Sequence, residues 1–546
     1  MALYLGLDSS TQGLTAIVIE VGPRVRRVIH RDVINFDAEL PHYGTHHGTN
    51  PSAEPSLVTA PPTMWAEALE RMMARLARSG IDWTGLAAIS GSAQQHGSVY
   101  LNAGASALLS ALDPRDPLSH QVREMLSRDV SPIWMDSSTA TQCGEITESL
   151  GGDAILAERT GSRACERFTG PQIRKFWQQD PEGYAATDRI HLVSSFMASL
   201  LAGVHAPLDP GDASGMNLMD LATEQWWPEA VEATAPGLAL KLPAIVKPWR
   251  VVGALSPYWR RKGLPDAKVV AWSGDNPCSL IGTGLVDDGL LAVSLGTSDT
   301  VFGHMNHPRH DPALAGHVFG APTGGYMGLT CFRNGSLARE RVRDRFGLDW
   351  NGFVEALNAV PPGNRGRVLL PWFEPEITPP VAQGDARTFG VAPDDTQANV
   401  RGLVEAQLLA ARRHSTWIAS RVEAIHATGG AAVNQAILQV MADVFGADVY
   451  RFDVSNSAAL GAALRACHAD VVNREGSASW QEIVSGFAEP IREARIAPDR
   501  ARHAMYRELL DVYGACEAFA LGGGPDPTPQ LAAFRSRFGD GATPMP

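Results

Sequence analysis

Cysteine is scarce in this chain and never closely paired. Its six residues (Cys143, Cys165, Cys278, Cys331, Cys467 and Cys516) include no CxxC spacing. That speaks against a zinc site or a disulfide framework and fits buried thiols in a reducing compartment. Positive charge is also in deficit: 46 Lys and Arg against 59 Asp and Glu leave a net charge of −13. A nucleic-acid binder draws its affinity from Lys and Arg meeting phosphates, so no nucleic-acid partner is expected. The short basic runs Arg24-Val25-Arg26-Arg27 and Arg260-Arg261-Lys262 read as solvated surface. Long apolar stretches are missing too, since the most apolar window, Leu192 to Gly203, is too short to span a bilayer. With no basic, cleavable apolar start, the expectation is a cytoplasmic protein with no membrane partner. Familiar nucleotide signatures are likewise absent. No GxxxxGK[ST] occurs, and Gly282-Thr283-Gly284-Leu285 lacks the third glycine of a dinucleotide fingerprint. His30-Arg31-Asp32 is not followed by the Asn and DFG of a protein kinase.

What is present is the composition of a folded globular protein, 45% hydrophobic and 19% charged, with 546 residues to distribute over several average domains or two large ones. The first residues predict a β-hairpin: Leu3 to Leu7 and Thr15 to Ile19 are short apolar strands joined by Asp8-Ser9-Ser10-Thr11-Gln12-Gly13. Helical spacing follows at Met64 to Ala77, around Leu192 to Leu201, over Val400 to Ile425 and over Gln435 to Phe445. Strands are expected at Leu86 to Ser90, Lys268 to Trp272 and Leu290 to Ser294. This order predicts an α/β fold. Leu5-Gly6-Leu7-Asp8-Ser9-Ser10-Thr11 has a faint echo in Val293-Ser294-Leu295-Gly296-Thr297-Ser298-Asp299-Thr300, as though two similar halves each opened with a hairpin. Pro243 to Val251 suggests a boundary, giving domains over 1–248 and 249–515. Gly/Pro-rich residues 521–546 read as a flexible tail. Leu40 to Pro62, rich in turn formers, is either a loop over a cleft or a surface excursion. Its His42, His46 and His47 read as loop residues rather than a metal site.

Three turns carry possible chemistry. In the Asp8 turn, successive N–H groups suit an anion and the carboxylate suits Mg²⁺, although an ordinary hairpin capped by Asp has the same pattern. Ser273-Gly274-Asp275-Asn276-Pro277 follows an apolar strand. Asp275 at such a strand end suits a general base that takes a hydroxyl proton during phosphoryl transfer; a helix-capping Asp is the alternative. Ala427-Thr428-Gly429-Gly430-Ala431-Ala432-Val433-Asn434 is a strand-to-helix turn where backbone can approach a ligand closely, or simple punctuation.

Taken in order, DSSTQG, SGDNP, LGTSDT, ATGGAAVNQ and NSAALGAALRA resemble the FGGY family of carbohydrate kinases, over about residues 3–470. ISGSAQQHG, PIWMDSST, GSRACERFTG, DASGMNL and CFRNGSL are similar to the branch of that family, common in eukaryotes, that acts on D-xylulose. The resemblance implies two actin-like (ribonuclease H-like) α/β domains of related topology, with a cleft between them for ATP and sugar. It implies phosphorylation of the ketose 5-hydroxyl with Asp275 as base, the alternatives being a kinase for another ketose or polyol (ribulose, gluconate, glycerol) or a non-catalytic sugar or nucleotide sensor. His96, Arg167 and Asn276, with Asp275, would grip the sugar, and Asp8 would approach Mg²⁺ and the γ-phosphate. Thr11, Gln12, Gly296 and Thr297 would line the phosphate path, and Gly429, Gly430 and Asn434 would hold the adenosine, with Trp350 nearby. The expected partners are the small-molecule sugar and ATP, in a monomer or homodimer.

Overall fold

A computed structural model describes residues 1–452 and 456–539. The opening apolar run forms β1 (Ala2–Ser9). The chain then returns antiparallel as β2 (Gly13–Gly22) and β3 (Val25–Asn35). Every β1 residue from Leu3 to Ser9 is buried, which is why the strand reads as a continuous apolar run and not an alternating one. β4 (Leu86–Ala93) lies parallel to β1 on its other side. Three later pieces join the same sheet: β5 (Val251–Ala254), β6 (Lys268–Val270) and β7 (Ser273–Gly274). The order is β5-β6-β4-β1-β2-β3, with β7 also pairing β4.

A second seven-stranded sheet contains β8 (Leu290–Leu295), β9 (Asp299–Met305), β10 (His317–Gly320), β11 (Tyr326–Phe332), β12 (Ala424–Thr428), β13 (Asp448–Arg451) and β14 (Arg495–Ile496), in the order β10-β11-β9-β8-β12-β13-β14. The two sheets share one plan. A hairpin strand (β1 or β8) has its antiparallel mate on one side and a parallel strand (β4 or β12) on the other. A further parallel strand (β6 or β13) and an antiparallel edge (β5 or β14) complete each sheet. The faint sequence echo is therefore the visible part of a repeat that runs through both halves.

Helices cover the sheets: α1 (Pro62–Ala77), α2 (Asp275–Gly282), α3 (Ser336–Arg345), α4 (Trp350–Ala359), α5 (Thr396–His414), α6 (Gln435–Phe445), α7 (Ser457–Glu475), α8 (Arg500–Ala520) and α9 (Thr528–Phe538). Capping fixes several starts: Asp395, Asn434 and Asp499 each accept a hydrogen bond from a first-turn N–H of α5, α6 and α8. Among the described residues no helix is long and apolar enough to cross a membrane.

Three expectations shift. The boundary expected at 248/249 moves to the junction between Gly282 and Leu290, because β5, β6, β7 and α2 all belong with the first sheet. The proline-flanked segment does not leave that domain but folds back onto it, with Val246 donating to Leu208 O and Ala271 to Arg250 O. The helix expected over Val400 to Ile425 ends at His414, where Trp417 and Ile418 turn inward and β12 begins at Ala424. Two elements with apolar residues in sequence had read as one period. Thirdly, the tail expected from 521 is in part the docked helix α9, with Leu531 and Phe534 buried at an i, i+3 spacing. The rest of that tail, 540–546, lies outside the described residues.

Helix α7 returns from the far end of the second sheet to pack on β1, β4 and α2 of the first. Small residues make this possible. A Cβ on Gly6 would meet Ala459 O at 2.2 Å, and one on Gly461 would meet Cys278 O at 1.9 Å. The NSAALGAALRA segment is thus a close-packing surface. Its Arg465 is fully buried, ion-paired to Asp209 at 3.0 Å and donating to the carbonyls of Gly91 (3.2 Å) and Ala271 (3.0 Å).

Candidate active site

The carboxyl ends of three parallel strands converge on two aspartates. Asp8 pairs in register with Ser92 on β4, and Ser92 pairs with Ser273 on β7, two residues before Asp275. Asp275 opens α2, with Gly274 in the capping position, so it is a first-turn residue at a strand end and not itself the cap. Open α/β sheets place ligands at such strand ends. Ser92 donates to Asp8 Oδ1 at 2.8 Å, and the backbone N–H of Asn276 donates to Asp275 Oδ1 at 2.8 Å. Burial pushes the Asp8 carboxyl up to about 6, against the pull of Ser92. Burial and then the charge of Asp8 push Asp275 up to about 7. Two buried carboxyls whose proton affinities are raised toward neutrality, one of them in part by the other's charge, suit acid–base work.

Beside them polar groups cluster against an aromatic ring. His96 is buried and held at φ +70°, an uncommon backbone for a non-glycine residue. Its Nδ1–H donates to Gly215 O at 2.7 Å, which leaves the Nε2 lone pair for a ligand, and its ring stacks on Phe168 at 4.4 Å. Burial, reinforced by the Arg167 charge, pushes His96 down to about 3, so it is a neutral acceptor. The Arg167 guanidinium lies 5.7 Å from the Phe168 ring centre. Asn276 Nδ2 donates to Gln95 Oε1 at 2.9 Å, which joins the SGDNP turn to the QQHG segment. His96, Arg167 and the Asp275-Asn276 dipeptide, from three distant segments, are thus neighbours. Deeper in, the buried Asp212 accepts from Ser194, and burial pushes its carboxyl well above the usual carboxylate range despite that bond, with Asp209 and Asp275 adding repulsion.

The Asp8 turn is covered from outside. Thr11 Oγ1 accepts from Trp134 Nε1 at 2.8 Å, and the Gln12 carbonyl accepts from Phe36 N. Gly48 sits so close that a Cβ there would meet Thr11 O at 1.9 Å. The loop from Leu40 to Pro62 therefore packs on this turn. His42 of that loop pairs with Glu67 at 2.9 Å, and among the described residues no cluster of three His, Cys, Asp or Glu forms a metal cage.

In the second domain Gly429, at φ +86°, follows β12 so closely on β8 that a Cβ would meet Leu295 O at 2.6 Å. Gly429 and Gly430 thus lie beside the Gly296-Thr297 turn, and Thr297, Gly429 and Gly430 are exposed. Asn434 uses its side-chain oxygen to cap α6, accepting from Ala436 N and Ile437 N. Trp350 is exposed at the start of α4, with Arg343 over its ring at 4.6 Å. α4 packs against α6, the helix that the Gly429 turn opens. Asp299, the aspartate of the second hairpin, is taken up by a buried two-pronged ion pair with Arg339 at 2.8 and 2.9 Å. Ser92, Trp134 and His317 were not singled out from sequence. The first two lie inside segments that the motifs already marked, whereas His317 stands in an apolar strand with no local signal.

The family profile described as the FGGY family of carbohydrate kinases, N-terminal domain, matches residues 130–282, and its C-terminal counterpart matches 291–469. The chain is 42% identical over 524 residues to a xylulose kinase of Mus musculus, covering 94% of this chain and 93% of that one. In three dimensions it is similar to a gluconate kinase from Lactobacillus acidophilus (TM-score 0.79, 18% identity, 95% of this chain and 98% of that one). It is also similar to a ligand-bound xylulose kinase from Lactobacillus acidophilus (TM-score 0.78, 18% identity, 96% and 99%).

Proposed function

We infer that this chain, which belongs to the FGGY family of carbohydrate kinases, transfers the γ-phosphoryl group of ATP to the 5-hydroxyl of D-xylulose. The observation that carries the reading is the meeting of Asp8 and Asp275 at the strand ends, beside the His96–Arg167–Asn276 pocket. The relative of 42% identity over almost the whole chain supports the choice of sugar.

In this reading His96 accepts a hydrogen bond from a ketose hydroxyl through Nε2, while Arg167 and Asn276 donate to others. A sugar lacking one of those hydroxyls leaves a buried polar group unpaired, which is how such a pocket discriminates. Asp275 accepts the 5-hydroxyl proton as the oxygen attacks phosphorus. The new O–P bond forms as the bond to ADP breaks, and the proton stays on the carboxylate. The remaining demand is for alignment and exclusion of water, which the cleft between the two domains supplies. The Gly296-Thr297 and Gly429-Gly430 turns offer backbone N–H groups to the nucleotide. Mg²⁺ fits the site, because a cation relieves the burial of the Asp8 carboxylate and its repulsion of Asp275, and Mg²⁺ needs only one or two carboxylates besides phosphates and water. Asp8 would hold it, where it would neutralise charge on the phosphates. We place this chemistry in the cytoplasm, in keeping with six unpaired thiols.

The test is ADP release with Mg-ATP against D-xylulose, D-ribulose, L-ribulose, gluconate and glycerol. A clear preference for D-xylulose is expected. Preference for another sugar keeps the family and overturns the substrate, and no sugar-dependent turnover overturns the activity.

A further inference from the structure

The pocket that holds Arg167 is not built by the first domain alone. Strand β10, the edge of the second sheet, stays paired with β11 on one side and docks on the first domain with the other. Val318 N donates to Gly161 O at 2.8 Å, and Gly320 N donates to Ser214 Oγ at 3.0 Å. One residue before the first anchor His317 is buried, with Nε2 at 2.8 Å from Arg167 Nη2 and Nδ1 at 3.0 Å from Ser162 Oγ.

The chemistry of these partners leaves one arrangement. A guanidinium has donors only, so Nε2 must be the acceptor. The ring proton then sits on Nδ1 and is donated to Ser162. Only a neutral imidazole does this, and burial together with the nearby Arg167, His96 and Arg163 holds His317 well below its usual range. The ring is also packed, 5.5 Å from Phe168 and 5.9 Å from Phe319, so its Nε2 is aimed by its surroundings.

We propose that His317 is a positioning residue for the sugar site: it fixes the Arg167 guanidinium beside His96, so the ketose pocket of the first domain is completed by a side chain of the second. This rests on the sugar-kinase reading above. Without that acceptor the arginine keeps its charge but loses its aim, and ketose recognition suffers while the nucleotide site does not.

The test compares His317→Leu, His317→Asn and His317→Gln in steady state with D-xylulose and ATP. Gln reaches the Nε2 position with a carbonyl acceptor, whereas Asn reaches only the Nδ1 position. The ketose KM should rise on the order of 10-fold or more in Leu and Asn, as for a lost bond to a charged group. Gln should recover most of it, with the ATP KM unmoved throughout. In an Arg167→Ala background the Leu substitution should add nothing. Equal behaviour of Asn and Gln, parallel changes in both KM values, or full additivity with Arg167→Ala would each overturn the proposal. If Leu fails to fold, the Asn–Gln pair still decides it. A wild type inactive on every panel sugar defeats the underlying function, whereas an active wild type with indistinguishable variants defeats this inference alone.

Discussion

Asp275 and Asp8 hold their protons to higher pH than ordinary aspartates because both are taken out of water, and Asp275 also faces the charge of Asp8. A carboxyl whose folded pKa is raised costs stability as it ionises, and the cost grows between the unfolded value near 4 and the folded value near 7. Asp275→Asn should therefore abolish turnover, by roughly 10²–10⁴-fold or more as expected for a general base, while raising the melting temperature. That rise should be larger at pH 8 than at pH 5 in thermal melts at the two pH values. His96→Ala should raise the ketose KM about 10-fold and leave the ATP KM alone, through loss of one buried acceptor. These residues were legible because each sits in a turn whose spacing has chemical meaning. His317 was not, since a lone histidine in a buried strand has no local pattern and its partners lie 150 and 155 residues away. Asn434, expected from sequence to hold the adenosine, has its side chain occupied in capping α6.

Elements were read best where one period ran unbroken. The opening hairpin and α6 stand where their patterns put them, and α6 keeps the expected bounds of Gln435 and Phe445. Reading failed where two elements shared an apolar run, as at α5 and β12, or where glycine and proline surrounded a real helix, as at α9. Phe534→Ala should cost about 3–5 kcal/mol in urea unfolding, because it empties a packed site between α9 and the Gly363–Gly366 turn. A flexible tail would show no change. At α7, Arg465→Met should destabilise the chain by about 3–5 kcal/mol, since Asp209 is left buried without its partner. Turnover should also fall in the folded fraction, because α7 supports α2 and α2 presents Asp275. Stability lost with full activity in the surviving protein would separate the ion pair from the site.

At the level of the whole molecule the two domains repeat one sheet plan but divide the labour. The first hairpin leaves Asp8 at the site, and the second commits Asp299 to Arg339. The repeat was faintly legible, but the discontinuity was not: nothing local in residues 457–475 says which sheet they will cover, because long-range packing decides it. The domains are also tied at β10. Gly161→Ala should push that strand off the first domain, since the residue is at φ +88° and its Cβ would meet Val318 O at 2.1 Å. A ketose KM raised on the order of 10-fold, with the ATP KM unchanged, is the expected kinetic outcome of such a displacement. The return of α7 to the first sheet has a further consequence, for synthesis. Residues up to Gly282 leave the ribosome long before Ser457 does. At ~5–20 residues per second the gap is roughly 10 to 35 s. Throughout it the small-residue face around Gly6 has no helix upon it, so the amino-terminal half emerges as an unfinished domain. It should be insoluble as a fragment ending at 282, because the helix that covers this face is complete only at Glu475.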